Sequence, residues 1–133
     1  MQRLVVPRGW QLVYVVGAAL FALSVAVQHN DPDPVPWMLL YAAAGAVCIA
    51  AVVGVRVVVA AVVVAAVALL WSLSLAPRAV GFLRSDHEAV SFTMKTGDEL
   101  EEAARECGGL GLAGAWCAVV AVSQRRQRAR SVG

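Results

Sequence analysis

Four uncharged apolar blocks leave this chain few ways to fold. They run from Trp10 to Val27, Trp37 to Val55, Val57 to Ala76 and Cys107 to Ser123, and hold 18, 19, 20 and 17 residues. About 17–25 predominantly apolar residues cross a bilayer as a helix. A water-soluble domain keeps about a quarter of its residues charged, whereas 15% are charged here and 60% are hydrophobic. The expected fold is therefore all-α: four transmembrane helices in an antiparallel up-down bundle, one domain over residues 1–133, with spans 10–27, 37–55, 57–76 and 107–123. The first block has a rival reading, because Arg3, Arg8 and the small residues Ser24-Val25-Ala26 resemble a cleavable signal. Its apolar stretch exceeds the ~7–15 residues of a signal core, so an uncleaved span is expected.

Charge placement gives the orientation. Arg3, Arg8, Arg56, Arg125, Arg126, Arg128 and Arg130 fall on one side with no acid among them. Arg78, Arg84, Lys95 and Arg105 fall on the other, with all nine acids and both histidines. The positive-inside bias then puts both termini in the cytoplasm, as a multi-pass protein of the plasma membrane. The basic tail 124–133 reads as an anchor on anionic lipid, each basic residue contributing about 1 kcal/mol near the surface. Topogenesis accounts for its arginines, so nucleic acid is not an expected partner.

Two connections face outward, 28–36 and 77–96. The second carries Val90, Phe92 and Met94 in alternation with Ser91, Thr93 and Lys95, a short extended pattern that suits an interfacial loop or, as the alternative, a lid across the bundle mouth. Helix four is expected to begin near residue 97. Thr96 and Glu99 have capping-box spacing, and Asp98, Glu99, Glu101 and Glu102 suit the positive end of a helix dipole. Glu101 and Arg105 are four apart in the favourable order, while Glu102 and Glu106 place like charges on one face.

Within the spans, Gly17, Gly45, Gly108, Gly109, Gly111 and Gly114 permit close helix approach. Trp10, Trp37 and Trp71 fall near expected interfaces, and Trp116 lies mid-span facing the bundle or lipid. Cys48, Cys107 and Cys117 are odd in number and imply no disulfide framework. No ionisable residue lies mid-span, which argues against a charged ion pathway.

The sharpest chemistry is the turn Gln28-His29-Asn30-Asp31-Pro32-Asp33-Pro34. Asp33 before Pro34 reads as an N-cap, and Asn30 or Asp31 can form an Asx-turn. Trp37 and Tyr41, four apart, share one face just below it. Capping uses one carboxylate and leaves others over. Asp31, Asp33, Glu102 and Glu106 together are hard oxygen donors that suit a divalent cation. Adding His29 and His87 would favour Zn²⁺ or another transition metal.

The run Gln28-x-Asn30-Asp31-Pro32-Asp33-Pro34 with Trp37 and Tyr41 resembles the signature hairpin of the transmembrane protein 220 family. The run Glu102-Ala103-Ala104-Arg105-Glu106-Cys107-Gly108-Gly109-Leu110 resembles the start of that family's last helix, and the likeness spans essentially the whole chain. It implies four membrane helices and an extracytoplasmic polar cap that includes Gln28, Asn30, Asp31, Asp33, Trp37, Tyr41 and Arg105. It implies no activity.

Two functional readings follow. In one, the chain is a non-enzymatic bundle whose polar cap supports association with itself or with a larger membrane protein. In the other, the turn and the acidic start of helix four bind a divalent cation or polar ligand, extending to a membrane enzyme that acts on a lipid headgroup.

Overall fold

The computed structural model describes residues 3–84 and 99–132. Its helices are α1 (Arg8–Val27), α2 (Pro34–Val52), α3 (Val58–Arg84) and α4 (Glu99–Val132), with a 3-10 turn at Gln28–Asn30. All four are long and apolar enough to cross a membrane. The expectations for His87, Val90–Met94 and the Thr96 cap lie outside the described residues.

Ala44, Ala51, Ala61, Ala68 and Ala113 are buried beside the larger Tyr14, Phe21, Trp37, Tyr41 and Leu110, while Leu12, Leu23, Leu39, Leu70 and Leu73 face outward. In water such a surface would be one large apolar patch. In hydrocarbon the outer leucines lose nothing, and small interior residues let backbones approach. α3 packs mainly on α4, and α1 mainly on α2.

Not every glycine serves that approach. A Cβ on Gly17 would overlap the Trp116 indole, and one on Gly109 would overlap the Tyr41 hydroxyl. One on Gly114 would lie 2.6 Å from Leu69 Cγ and 3.2 Å from the Ala65 carbonyl oxygen. Gly108 has nothing within 4 Å. Gly114→Leu is therefore expected to cost about 2–3 kcal/mol by forcing α3 from α4, read from unfolding in detergent–SDS mixtures. Gly108→Leu should show no loss. Equal midpoints for the two variants would contradict the close α3–α4 contact.

The ends differ from the sequence expectation. Pro77 was expected to open an outer connection, yet α3 continues through it to Arg84. Proline removes one helical hydrogen bond. The two turns beyond it are kept because Ala79 and Phe82 are buried there and Gly81 lies beside Leu100 at the head of α4. The basic tail is likewise helical, as α4 runs to Val132.

Its first turns are built into the bundle. Gln124 is buried; its Oε1 accepts the Val57 N–H at 2.9 Å and its Nε2 donates to the Val55 carbonyl at 2.9 Å. Gln127 Nε2 donates to the Tyr14 hydroxyl at 3.2 Å. Tyr14 in turn meets Ser123 Oγ at 2.6 Å, and Ser123 donates to the Val120 carbonyl.

α2 ends three residues earlier than expected, in a Schellman turn. Gly54 adopts φ 77°, its N–H donates to the Ala51 carbonyl, and the Val55 N–H donates to that of Ala50. Leu4 N–H donates to the Gly54 carbonyl at 2.9 Å, tying the N-terminal segment to this turn. The aromatic anchors also turn inward. Trp37 is buried and stacks on Trp71 with centroids 4.4 Å apart, and Tyr41 stacks on Phe21. Trp116 faces the bundle, with its indole N–H buried and unpaired among the described residues. Cys48, Cys107 and Cys117 are free thiols, the first and last of them buried.

Candidate functional site

The acidic residues of two separate elements meet at one end of the bundle. Asp31 ends the 3-10 turn, its N–H donating to the Gln28 carbonyl at 2.9 Å. Its backbone is extended, with ψ 144°, as a residue before proline must be. Glu102 and Glu106 are one turn apart on a single face of α4. One carboxylate oxygen of each of the three residues lies within 4.8 Å of the others. All three are partly buried.

Asp33 is not in that group, nor does its side chain cap α2. A capping oxygen accepts from the second or third helical N–H. Here the third helical residue is Pro36, which has no N–H to give. The Asx-turn forms at Asp31 instead, whose Oδ1 accepts the Asp33 N–H at 2.9 Å. His29 is also outside the group; it is exposed, and its Nδ1 lies 2.6 Å from the Ala26 carbonyl, so Nδ1–H donates there. Asn30 is exposed, and His87 lies outside the described residues. The transition-metal donor set thus loses His29, and the hard-cation set loses Asp33.

The electrostatics follow from the convergence. Glu106 lies just before the apolar span that begins at Cys107. Burial pushes its carboxyl up to about 7, and the charges of Glu102 and Asp31 push the same way. Arg105 and Arg78 oppose the shift. Like charges at this spacing relax by taking up a proton or a cation. Arg78 was not singled out in the sequence because Pro77 read as the end of a helix; only the continued α3 brings its charge to bear on Glu106.

Two polar groups complete the surroundings. Gln28 is buried in the same turn, and its Oε1 has no hydrogen-bond partner among the described residues. The Tyr41 hydroxyl reaches α4 at Gly109, about one turn beyond Glu106. Nearby, Ser72 Oγ donates to the Cys107 carbonyl at 2.8 Å and joins α3 to α4.

The model of the transmembrane family 220 helical region matches residues 20–122. That stretch includes the 3-10 turn, α2 and α3, and the part of α4 that carries Glu102 and Glu106. No curated protein and no solved structure matches the chain. With the family model covering most of its length, the chain belongs to transmembrane family 220.

Proposed function

We propose that this protein is a small non-enzymatic membrane bundle whose acidic end is closed by a divalent cation on Asp31, Glu102 and Glu106. The observation that carries the reading is the convergence of three carboxylates from two elements on one point. The donors are all oxygen, which suits Ca²⁺ or Mg²⁺ rather than Zn²⁺. The buried Gln28 Oε1 in the same turn, unpaired among the described residues, is a further hard oxygen. The consequence is mechanical: a cation shared by the 3-10 turn and α4 braces the α1–α2 pair against the α3–α4 pair, which touch each other less than their members do.

The same reading takes the bundle as an antiparallel, single-domain unit. Tyr14 meets Ser123 and Gly17 meets Trp116, so α1 and α4 pair in opposite order. Val57–Gln124 and Ser72–Cys107 do the same for α3 and α4. The arginine bias supports the rest of the reading, an acidic end outside the plasma membrane and both termini in the cytoplasm.

Metal analysis of protein purified in detergent without chelator tests the proposal. The native chain is expected to carry about one equivalent of Ca²⁺ or Mg²⁺, lost in Asp31→Asn and Glu106→Gln and kept in Asp33→Asn. Added cation at a hundredfold excess over its Kd should stabilise the native chain by about 2.7 kcal/mol and leave Glu106→Gln unchanged. Folded native protein that is metal-free and indifferent to both ions would overturn the cation. Association with itself or with a larger membrane protein would then be the reading of the cap.

A further inference from the structure

The opposite end of the bundle holds a basic concavity. A cavity of about 730 Å³ opens between the α2–α3 turn and the end of α4. Three arginines line it, Arg56 from the turn and Arg125 and Arg128 from α4, and no acid among the described residues does. Its remaining wall includes Val58, Val59 and Ala60, the first turn of α3. A neighbouring cavity of about 360 Å³ shares Leu4 and Arg56 with it and adds Arg3.

Topogenesis explains arginines near helix ends; it does not require them to share one pocket. Arg126, on another face of α4, opens instead toward Trp10. The three that converge do so around a braced backbone. Gln124 hydrogen-bonds the residues on either side of Arg56, and Leu4 ties down Gly54 two residues before it. The Arg56 main chain is therefore held in place, which lowers the ordering cost of binding.

We infer that this cavity binds one anionic phospholipid, its phosphate on Arg56, Arg125 and Arg128 and an acyl chain along Val58–Ala60. The charge is complementary, and guanidinium groups take phosphate oxygens in a bidentate fork. The aliphatic wall excludes a wholly polar anion as the best fit and continues into the lipid-facing surface of α3. Basic pockets between membrane helices on the cytoplasmic side, where the arginine bias puts this end, are of the type that selects anionic headgroups. The site is independent of any cation at the acidic end.

Native mass spectrometry of the full chain, released from micelles containing equal phosphatidylglycerol and phosphatidylcholine of matched chains, reads the preference. The native chain is expected to retain one phosphatidylglycerol, favoured about tenfold or more. The double variant Arg125→Gln/Arg128→Gln should lose that preference. Arg8→Gln/Arg130→Gln, which removes equal charge elsewhere, should keep it. Ala60→Phe fills the apolar wall without touching a charge and should also reduce retention, so the test survives if the arginine variant fails to fold. Free glycerol phosphate at millimolar concentration should not displace the lipid. Equal retention of the two lipids, equal loss in both arginine variants, or displacement by glycerol phosphate would each overturn the proposal.

Discussion

Gly54→Val is expected to destabilise the bundle by about 2–3 kcal/mol, read from unfolding in detergent–SDS mixtures. Two independent costs combine. At φ 77° a β-branched residue is in the left-handed region, which costs roughly 1–2 kcal/mol for an ordinary L-residue. A Cβ there would also lie 2.5 Å from the Leu4 carbonyl oxygen, so either the turn or the N-terminal segment must shift. That shift breaks the Leu4–Gly54 hydrogen bond, a further loss of about 1 kcal/mol. Removing residues 1–5 separates the two costs. In the shortened chain, Gly54→Val should retain the conformational cost alone. Identical losses in both backgrounds would show that Leu4 contributes nothing.

Gln124→Leu has an effect of the same order for a different reason. The side chain is buried, and leucine is close to it in volume although it branches one carbon earlier, so much of the space stays filled. What is lost is the partner of the Val57 N–H and of the Val55 carbonyl. Each buried group left unsatisfied costs about 1–3 kcal/mol, giving an expected loss of about 2–5 kcal/mol. Amide exchange at Val57 should quicken in the same variant. Gln124→Glu keeps the acceptor and removes the donor, so Val57 should stay protected while part of the stability is lost. Unchanged Val57 exchange in Gln124→Leu would refute the bracing role assigned to Gln124.

How far the sequence speaks depends on the range of the interactions involved. The four spans are legible because exclusion of charge from hydrocarbon acts on each block separately. The extent of α3 is not, because the usual effect of Pro77 is local and burial of Ala79 and Phe82 overrides it. The tail misleads in the same way: Gln124 and Gln127 look like solvated tail residues until their partners, Val55, Val57 and Tyr14, are brought beside them. Trp37 and Tyr41 read as belt residues, yet facing helices cover both.

The acidic site shows the same division within one turn. Glu102 and Glu106 are four apart, so their shared face is a sequence property. Their meeting with Asp31 is a tertiary fact that the sequence allows without requiring. Asp33 stays outside the group, and Pro36 leaves only the Val35 N–H for its carboxylate to cap, a restriction written in the sequence itself. His29 drops out because the Ala26 carbonyl, three residues back, takes its ring proton.

The alanine-rich face that α3 turns to α4 has a further consequence, for how such a chain can evolve. Small side chains at Ala61, Ala65 and Ala68 offer little interlocking to stop α3 sliding along α4. Polar bonds at the two ends do that instead: Val57 to Gln124 and Ser72 to Cys107. They fix the register like two pins through a pair of rulers. One residue inserted between the pins on either helix would displace the far pin by about 1.5 Å and rotate it by more than a quarter turn. The lipid-facing positions are therefore free to drift among valine, leucine and alanine, whereas the number of residues between the pins is not free to change.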